Sequence, residues 1–365
     1  MPSRALPQRQ SLVAQTTAFL AGEIDSGEWR EWLPSERALC QRLQVSRNTL
    51  RRALAVLRKQ GRIRPVHGTG NQIVGPATRR PPSPPATRDV ALLTPEPIER
   101  LRPMQSLWID DMRALLGERE IKLRVFHGPH YFGQTAALAK LVARNPHGCW
   151  ILMLADETVQ RWFSRHQVPA IVAGSTYADV ELPYRDLDHR AMCRHAAGVL
   201  LALGHRRLAL LTRKSPRAGD LESEAGFSEG VQQSRATDAS ALVMHHDDTM
   251  AGVTRTLERF RRLERRPTGL VVTQPHFYLA AATQLARGGV RVPQDISMIS
   301  RDDDPFLAFV APTPARYVVS PHVMARSLLR PVLELVAGDP ITQRAARMMP
   351  EFLRGESLGA VRAPG

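Results

Sequence analysis

Residues 33–74 read LPSERALCQRLQVSRNTLRRALAVLRKQGRIRPVHGTGNQIV, and their spacing dictates local structure almost residue by residue. Pro34-Ser35-Glu36 is a helix start, because a serine hydroxyl can accept from a free first-turn amide and a glutamate there meets the positive end of the helix dipole. That helix carries Ala38, Leu39 and Leu43 on one face and breaks at Gln44-Val45. Ser46 then caps a second helix whose Leu50, Ala53, Leu54 and Leu57 recur at i, i+3, i+4 and i+7, the period of a helix with one buried face. Gly61 suits the position just past its end. Residues 62–66 read as a strand, 67–70 (HGTG) as a turn and 72–74 as the returning strand. Upstream, Leu12, Phe19, Leu20 and Ile24 are expected to give a first helix one face to pack on this core.

Two short helices with a tight turn and a following hairpin describe a winged helix-turn-helix, which puts one helix into the DNA major groove. Opposite its apolar stripe the second helix presents Arg47, Asn48, Thr49 and Arg51 near its N-terminus, where base edges and phosphates are met. The order and spacing of LPSER, VSRNTLRRAL and HGTG resemble the DNA-binding domain of the GntR family of bacterial regulators over residues 8–75. The resemblance implies DNA contacts by Arg37, Ser46, Arg47, Asn48, Thr49, Arg51, His67 and Gly68. Arg47 has the forked donor geometry for a guanine O6/N7 edge. A merely solvated arginine face is the alternative, and the completeness of the pattern disfavours it.

Charge points the same way. The chain has 50 Lys and Arg against 35 Asp and Glu. Residues 1–80 hold 14 basic and 5 acidic residues, leaving 36 against 30 for the remainder. A basic segment on a nearly balanced one calls for a polyanionic partner, and no basic amphipathic helix with bulky apolar anchors directs it to a membrane. No apolar run approaches the ~20 residues of a membrane span. The apolar stretch near the N-terminus is interrupted by Gln15, Thr16 and Thr17, which argues against a secretory signal. Cys40, Cys149 and Cys193 are far apart and lack metal-ligand spacing. They read as ordinary buried thiols in a reducing bacterial cytoplasm, where a nucleoid-associated protein works.

The expected organisation is a DNA-binding domain at 1–75, a proline-rich basic linker at 76–88, a large domain at 89–357 and a flexible tail at 358–365. Pro81, Pro82, Pro84 and Pro85 keep the linker extended by removing donors and clashing with a preceding helical turn. Beyond it, strands are expected at 89–94, 121–127, 149–154, 169–173, 207–212, 240–246, 269–273 and 296–300. Helices are expected at 104–117, 133–144, 156–166, 190–203, 221–234, 249–262 and 276–288. Such alternation belongs to an α/β fold with parallel sheets covered on both faces. Two sets of about four to six strands suggest two lobes with a cleft between them, and ligands in such folds sit beyond the carboxyl ends of the strands.

Three segments resemble the LacI/GalR-type effector domain: LDHRAMCRHAAGVLLALGHRRLALLT (187–212), GGVRVPQDISMISRDDD (288–304) and MMPEFLRGES (348–357). The resemblance implies a periplasmic-binding-protein-like fold, with Rossmann-like lobes joined by crossovers near 185–189 and 315–321. It also assigns effector contact to Asp302, with Asp303 beside it, since a carboxylate there can accept from two ligand hydroxyls. Two other anchors of that family differ. Ser223 stands where an arginine precedes a Gly-aromatic pair (here Gly226-Phe227), and Gln274-Pro275 replaces Asn-Asp. Trp108, Trp162 and Phe277 could stack on a ligand, but core packing is the better expectation for each.

The remaining motifs carry little. His245-His246-Asp247-Asp248 alternates faces on a strand end and makes a poor metal site. Thr94-Pro95-Glu96-Pro97 lacks the glycines of a phosphate loop. No cofactor, metal or catalytic group is expected. The reading is a non-enzymatic, ligand-responsive repressor that binds a pseudo-palindromic operator as a homodimer and senses a small polar metabolite, a sugar or sugar derivative. A regulator with a vestigial cleft, or a Rossmann-type enzyme fused to a DNA-binding domain, are the alternatives.

Overall fold

The computed structural model describes residues 12–25, 29, 32–66, 70–73 and 87–361. The chain divides into two compact units, residues 1–83 and 84–365. His67, Gly68 and the linker prolines lie outside the described residues, as do 362–365 of the tail.

The first unit contains α1 (Leu12–Asp25), α2 (Glu36–Leu43), α3 (Arg47–Lys59) and an antiparallel hairpin of β1 (Ile63–Val66) and β2 (Gly70–Ile73). Ser35 and Ser46 cap α2 and α3 as expected, accepting from Ala38 N at 3.2 Å and Thr49 N at 3.1 Å. Gln44 turns the chain in the left-handed region, and Gly61 at φ 70° follows α3, where it needs no side-chain room. Leu50, Ala53, Leu54 and Leu57 are all fully buried with Leu20, Leu39, Ile63 and Ile73. The expected face of α1 needs correction. Leu12 and Phe19 are exposed, and the buried line runs through Thr16, Leu20 and Ile24, at an i+4 spacing. Thr16 fits because its hydroxyl donates to Leu12 O at 2.7 Å.

The second unit is doubly wound twice. Its elements are β3 (Val90–Thr94), α4 (Pro103–Gly117), β4 (Leu123–His127), α5 (Thr135–Arg144), β5 (Cys149–Met153), α6 (Glu157–His166), β6 (Ala170–Ala173) and β7 (Tyr184–Leu187). Then come α7 (His189–Ala202), β8 (Arg207–Arg213), α8 (Ala218–Gln232), β9 (Ser240–His246), α9 (Met250–Arg261), β10 (Gly269–Val272), α10 (Pro275–Arg287), β11 (Ser297–Ser300) and β12 (Ala315–Val318). The chain closes with α11 (Pro321–Ala337), β13 (Ala345–Met348) and β14 (Glu351–Leu353).

One sheet has the order β13-β7-β6-β5-β3-β4, all parallel; the other is β14-β12-β11-β10-β8-β9, parallel except for β14. Central strands such as β3, β5 and β11 are buried at every position, as parallel strands covered by helices must be. In the first lobe, Trp108, Ile109 and Met112 of α4 pack with Leu328 and Val332 of α11 on one face. Leu138 of α5 and Phe163 of α6 cover the other. In the second lobe, α7 and α8 cover one face and α9 and α10 the other.

The chain crosses between lobes where expected, after β7 and after β12, and a third time between β13 and β14. The third crossing depends on α11, which no sequence signal predicts. Pro331 interrupts its apolar repeat, yet Pro331, Met324, Leu328, Val332 and Val336 are all buried along the helix. The tail is also shorter than expected. Gly359 N donates to Ser297 Oγ at 2.9 Å and Val361 N to Leu203 O at 3.1 Å, so residues up to 361 are tied to the second lobe. His205, buried at the start of β8, completes this tie through Thr268 Oγ1 (2.9 Å), Ser297 Oγ (3.0 Å) and Gly359 O (3.1 Å).

Candidate nucleic-acid interface and candidate ligand cleft

In the first unit, the exposed face of α3 begins with Arg47 and Asn48, and Arg37 is exposed on α2. Among the described residues the side chains of these three have no hydrogen-bond or ion-pair partner. Thr49 is half-buried, and its hydroxyl is paired with that of Ser46 at 2.9 Å, so both serve the helix start. Arg51 donates from Nε to Glu36 Oε2 at 3.0 Å, a bond that ties α3 to α2 while leaving the side chain largely exposed. Arg58 reaches from α3 to the hairpin, donating to Asn71 Oδ1 at 3.1 and 2.7 Å. Trp32 forms a bridge to Gln72, and Leu33 N donates to Asn71 O at 3.0 Å, so the segment before α2 adds a third edge to the hairpin. Neither link was visible in the spacing of residues. Together they fix the hairpin against the helix that carries Arg47.

In the second unit, a cavity of about 310 Å³ opens between the lobes at the carboxyl ends of both sets of strands. That is the small end of the usual range for ligand pockets, about 300–1,000 Å³. Asp302 and Gln274 line it; Ser223 does not. Ser223 is fully buried beneath the wall, donating to Gly219 O at 2.8 Å and accepting from Arg301 Nη1 at 2.7 Å. Its expected role as an effector contact is therefore corrected: it positions Arg301. The guanidinium that meets Ser223 comes from Arg301, just past the end of β11. The signal was in the sequence, since Arg301 directly precedes Asp302.

Asp302 is buried and already engaged. Arg301 donates to both of its oxygens, at 2.8 and 2.9 Å, and Arg102 Nη1 reaches Oδ2 from the other lobe at 2.7 Å. Burial works against its charge, but Arg301 and Arg102 overcome that and hold the carboxyl well below the usual range. Three of about four carboxylate acceptor positions are thus taken before any ligand arrives. The other lining carboxylates are engaged too. Asp220 pairs with Arg213 at 3.0 Å, and Asp303 pairs with Arg316 at 2.7 Å. Asp186 accepts from Ser175 Oγ at 2.5 Å, and Asp304 caps the turn that follows β11. Gln160, although on the cavity wall, is saturated by Ala155 O, Ser175 O and Tyr177 N.

Of the aromatic candidates, Trp108 lines the cavity as part of the first lobe's core, whereas Trp162 and Phe277 are core residues away from it. His245 pairs with Glu224 at 2.9 Å and is exposed, while His246 is buried against Phe277, so adjacent histidines point apart. Among the described residues no helix is long and apolar enough to cross a membrane.

Comparison with known proteins agrees with this architecture. Residues 6–73 match the family model of bacterial regulatory proteins of the gntR family, and residues 197–358 match that of the periplasmic binding protein-like domain. The HTH-type transcriptional regulator reg1 of Streptomyces lividans is 28% identical over 200 residues, 53% of this chain and 57% of that protein. The chain thus spans little more than half the length of that relative. The arabinose metabolism transcriptional repressor of Geobacillus stearothermophilus is 24% identical over 327 residues, 84% of this chain and 85% of that protein. Among solved structures, a complex of the transcriptional regulator CelR with cellobiose superposes with a TM-score of 0.68 at 19% identity, covering 96% of this chain and 100% of that one.

Proposed function

We propose that this chain, in which a GntR-type winged helix precedes a LacI-type effector domain, is a ligand-responsive transcriptional repressor that binds operator DNA as a homodimer. The observation that carries the reading is the start of α3, where Arg47 and Asn48 are exposed, with no side-chain partner among the described residues, on a helix whose opposite face is fully buried. That is a surface prepared for base edges and phosphates. Arg37 and Arg51 add phosphate contacts, and Ser46, Thr49, His67 and Gly68 complete the set expected from sequence. The names of the arabinose repressor and the CelR–cellobiose complex support a sugar or sugar derivative as the effector.

In this reading, paired effector domains set the spacing of two winged helices over a pseudo-palindrome, and ligand shifts the dimer between two geometries. The proline-rich sequence at 76–88 couples the parts by reach rather than by folding. Selection of double-stranded DNA from a random library by the full-length protein tests the reading. A pseudo-palindromic motif whose occupancy falls when metabolites are added is the expected result. Recovery of no motif, or turnover of a metabolite by the protein, overturns it. Replacing 81–85 with Gly/Ser should weaken the ligand response more than the DNA affinity; a collapse of affinity with the response intact contradicts coupling by reach.

A further inference from the structure

Among the described residues, the arginines of the cavity wall are each held by a carboxylate except one, while Asp304 caps a turn and Asp186 is held by Ser175 and faces His189. Arg102 and Arg301 hold Asp302, and Arg213 holds Asp220. Arg217, at the N-cap of α8, lines the same cavity with no hydrogen-bond or ion-pair partner for its guanidinium among the described residues. Burial, and Arg213 beside it, hold its pKa below the ordinary value against the opposing pull of Asp220, Tyr177 and Asp248. Gln274 is the second independent sign. It is 7% exposed, it lines the cavity at the start of α10, and its amide neither caps that helix nor bonds any described residue. His189 also lines the cavity, its Nε2 facing Asp186 at 3.5 Å. The ring lies so close to Gly219, beside Arg217, that a Cβ at 219 would sit 2.9 Å from Cδ2.

We propose that the ligand of this cleft is an anionic polyol, its carboxylate or phosphate bound by Arg217 and a hydroxyl by Gln274. The proposal rests on the sensor reading above and sharpens it. A neutral sugar would cover the half-buried Arg217 without giving its guanidinium a direct partner, while Asp302, Asp220 and Asp303, which could accept sugar hydroxyls, are engaged by arginines. An anion reverses both mismatches, because a guanidinium fork matches a carboxylate or phosphate edge. Burying an unpaired cation is costly, so the preference for charge is large.

The test uses full-length protein and calorimetric titration with glucose, glucuronate and glucose 6-phosphate, then with ribose and ribose 5-phosphate, and with inorganic phosphate alone. Charged members of a series are expected to bind at least about tenfold more tightly than the neutral parent, with affinity falling as salt rises. The carboxylate and phosphate arms identify which anion is preferred. Arg217→Gln should abolish the preference, while Arg217→Lys should retain most of it and so exclude a folding defect. Neutral sugars that bind as tightly as their charged partners, or a preference that survives Arg217→Gln, overturn the assignment. So does binding by none of the probes. Operator release is read in parallel: release by a neutral sugar alone sinks the anion and leaves the sensor standing, and a motif insensitive to a full metabolite extract sinks the sensor.

Discussion

Arg102 Nη1 lies 2.7 Å from Asp302 Oδ2, an ion pair between residues 200 positions apart that joins one lobe to the other across the cleft. The two partners are not equivalent. Asp302 remains paired with Arg301 inside its own lobe, whereas Arg102, about a third exposed, gives up this carboxylate to solvent when the lobes part. The contact can therefore break without stranding a buried charge.

Arg102→Ala is expected to cost on the order of 1 kcal/mol of stability, since Arg102 is partly exposed and Asp302 keeps Arg301 as its main partner. Its effect should appear in the lobes instead. Small-angle scattering of the ligand-free variant should show a larger radius of gyration than the parent, and identical curves would show that the pair does not hold the cleft closed.

Arg301 is a different matter. It is buried between Asp302, Asp220 at 3.8 Å and Ser223. Arg301→Met leaves Asp302 and Asp220 short of a counter-charge and should cost roughly 3–5 kcal/mol. Ser223→Ala removes one charge-assisted hydrogen bond and should cost about 1.5–3 kcal/mol. Urea denaturation midpoints distinguish the two, and equal losses would contradict the assignment of Arg301 as the central cation.

Gly226 is where α8 meets α7. A Cβ there would lie 2.0 Å from Arg190 O, a backbone atom that cannot swing aside. Gly226→Ala should force the helices apart at a cost on the order of 1–3 kcal/mol or more. A thermal midpoint unchanged from the parent would show that α7 and α8 have slack the structure does not reveal.

Acid should destabilise the chain well before its carboxylates titrate. Burial pushes His246 down to about 4 and lowers His205, His195 and His276. An unfolded histidine takes its proton near pH 6.5, so between 6.5 and about 4 the unfolded state binds more protons and folding stability falls with pH. His246 alone accounts for on the order of 2–3 kcal/mol across that window. His246→Gln should flatten the slope of denaturation free energy against pH, and an unchanged slope would exclude His246 as a source.

At the DNA interface, Arg47→Ala should lose roughly 1–3 kcal/mol of discrimination between operator and scrambled DNA. Loss of a phosphate contact by Arg37→Ala should instead weaken both equally and shallow the salt dependence by about one unit of slope. Ser46→Ala should cost about 0.5–2 kcal/mol of stability with a secondary effect on binding. Anisotropy titrations across salt concentrations separate the three.

Much of this was legible because it is local. Ser35 and Ser46 cap their helices, Leu50 to Leu57 bury one face, and the strands ending at Thr94, Met153 and Ser300 are apolar throughout, each consequence set by neighbours within a few residues. The reading failed where a local signal pointed the wrong way. Pro331 hid α11 because a proline in a helix costs a hydrogen bond, yet packing against α4 and the sheet outweighs that cost. Pro216 and Gly219 made the start of α8 look like loop, which moved its N-terminus to 221 and kept Arg217 out of sight of the cleft.

The sequence by itself determined the two classes of domain and the alternation of strand and helix over most of the second, because period, capping and turn chemistry act over a few residues. Only the tertiary structure decided which charges are available. Asp302 looked like a free acceptor until Arg102 and Arg301 were placed on it, and Arg217 looked like one arginine among many until its guanidinium was seen at the cavity with no hydrogen-bond or ion-pair partner among the described residues. Charge pairing is settled by approach in space between residues far apart in the chain, and no spacing rule encodes it.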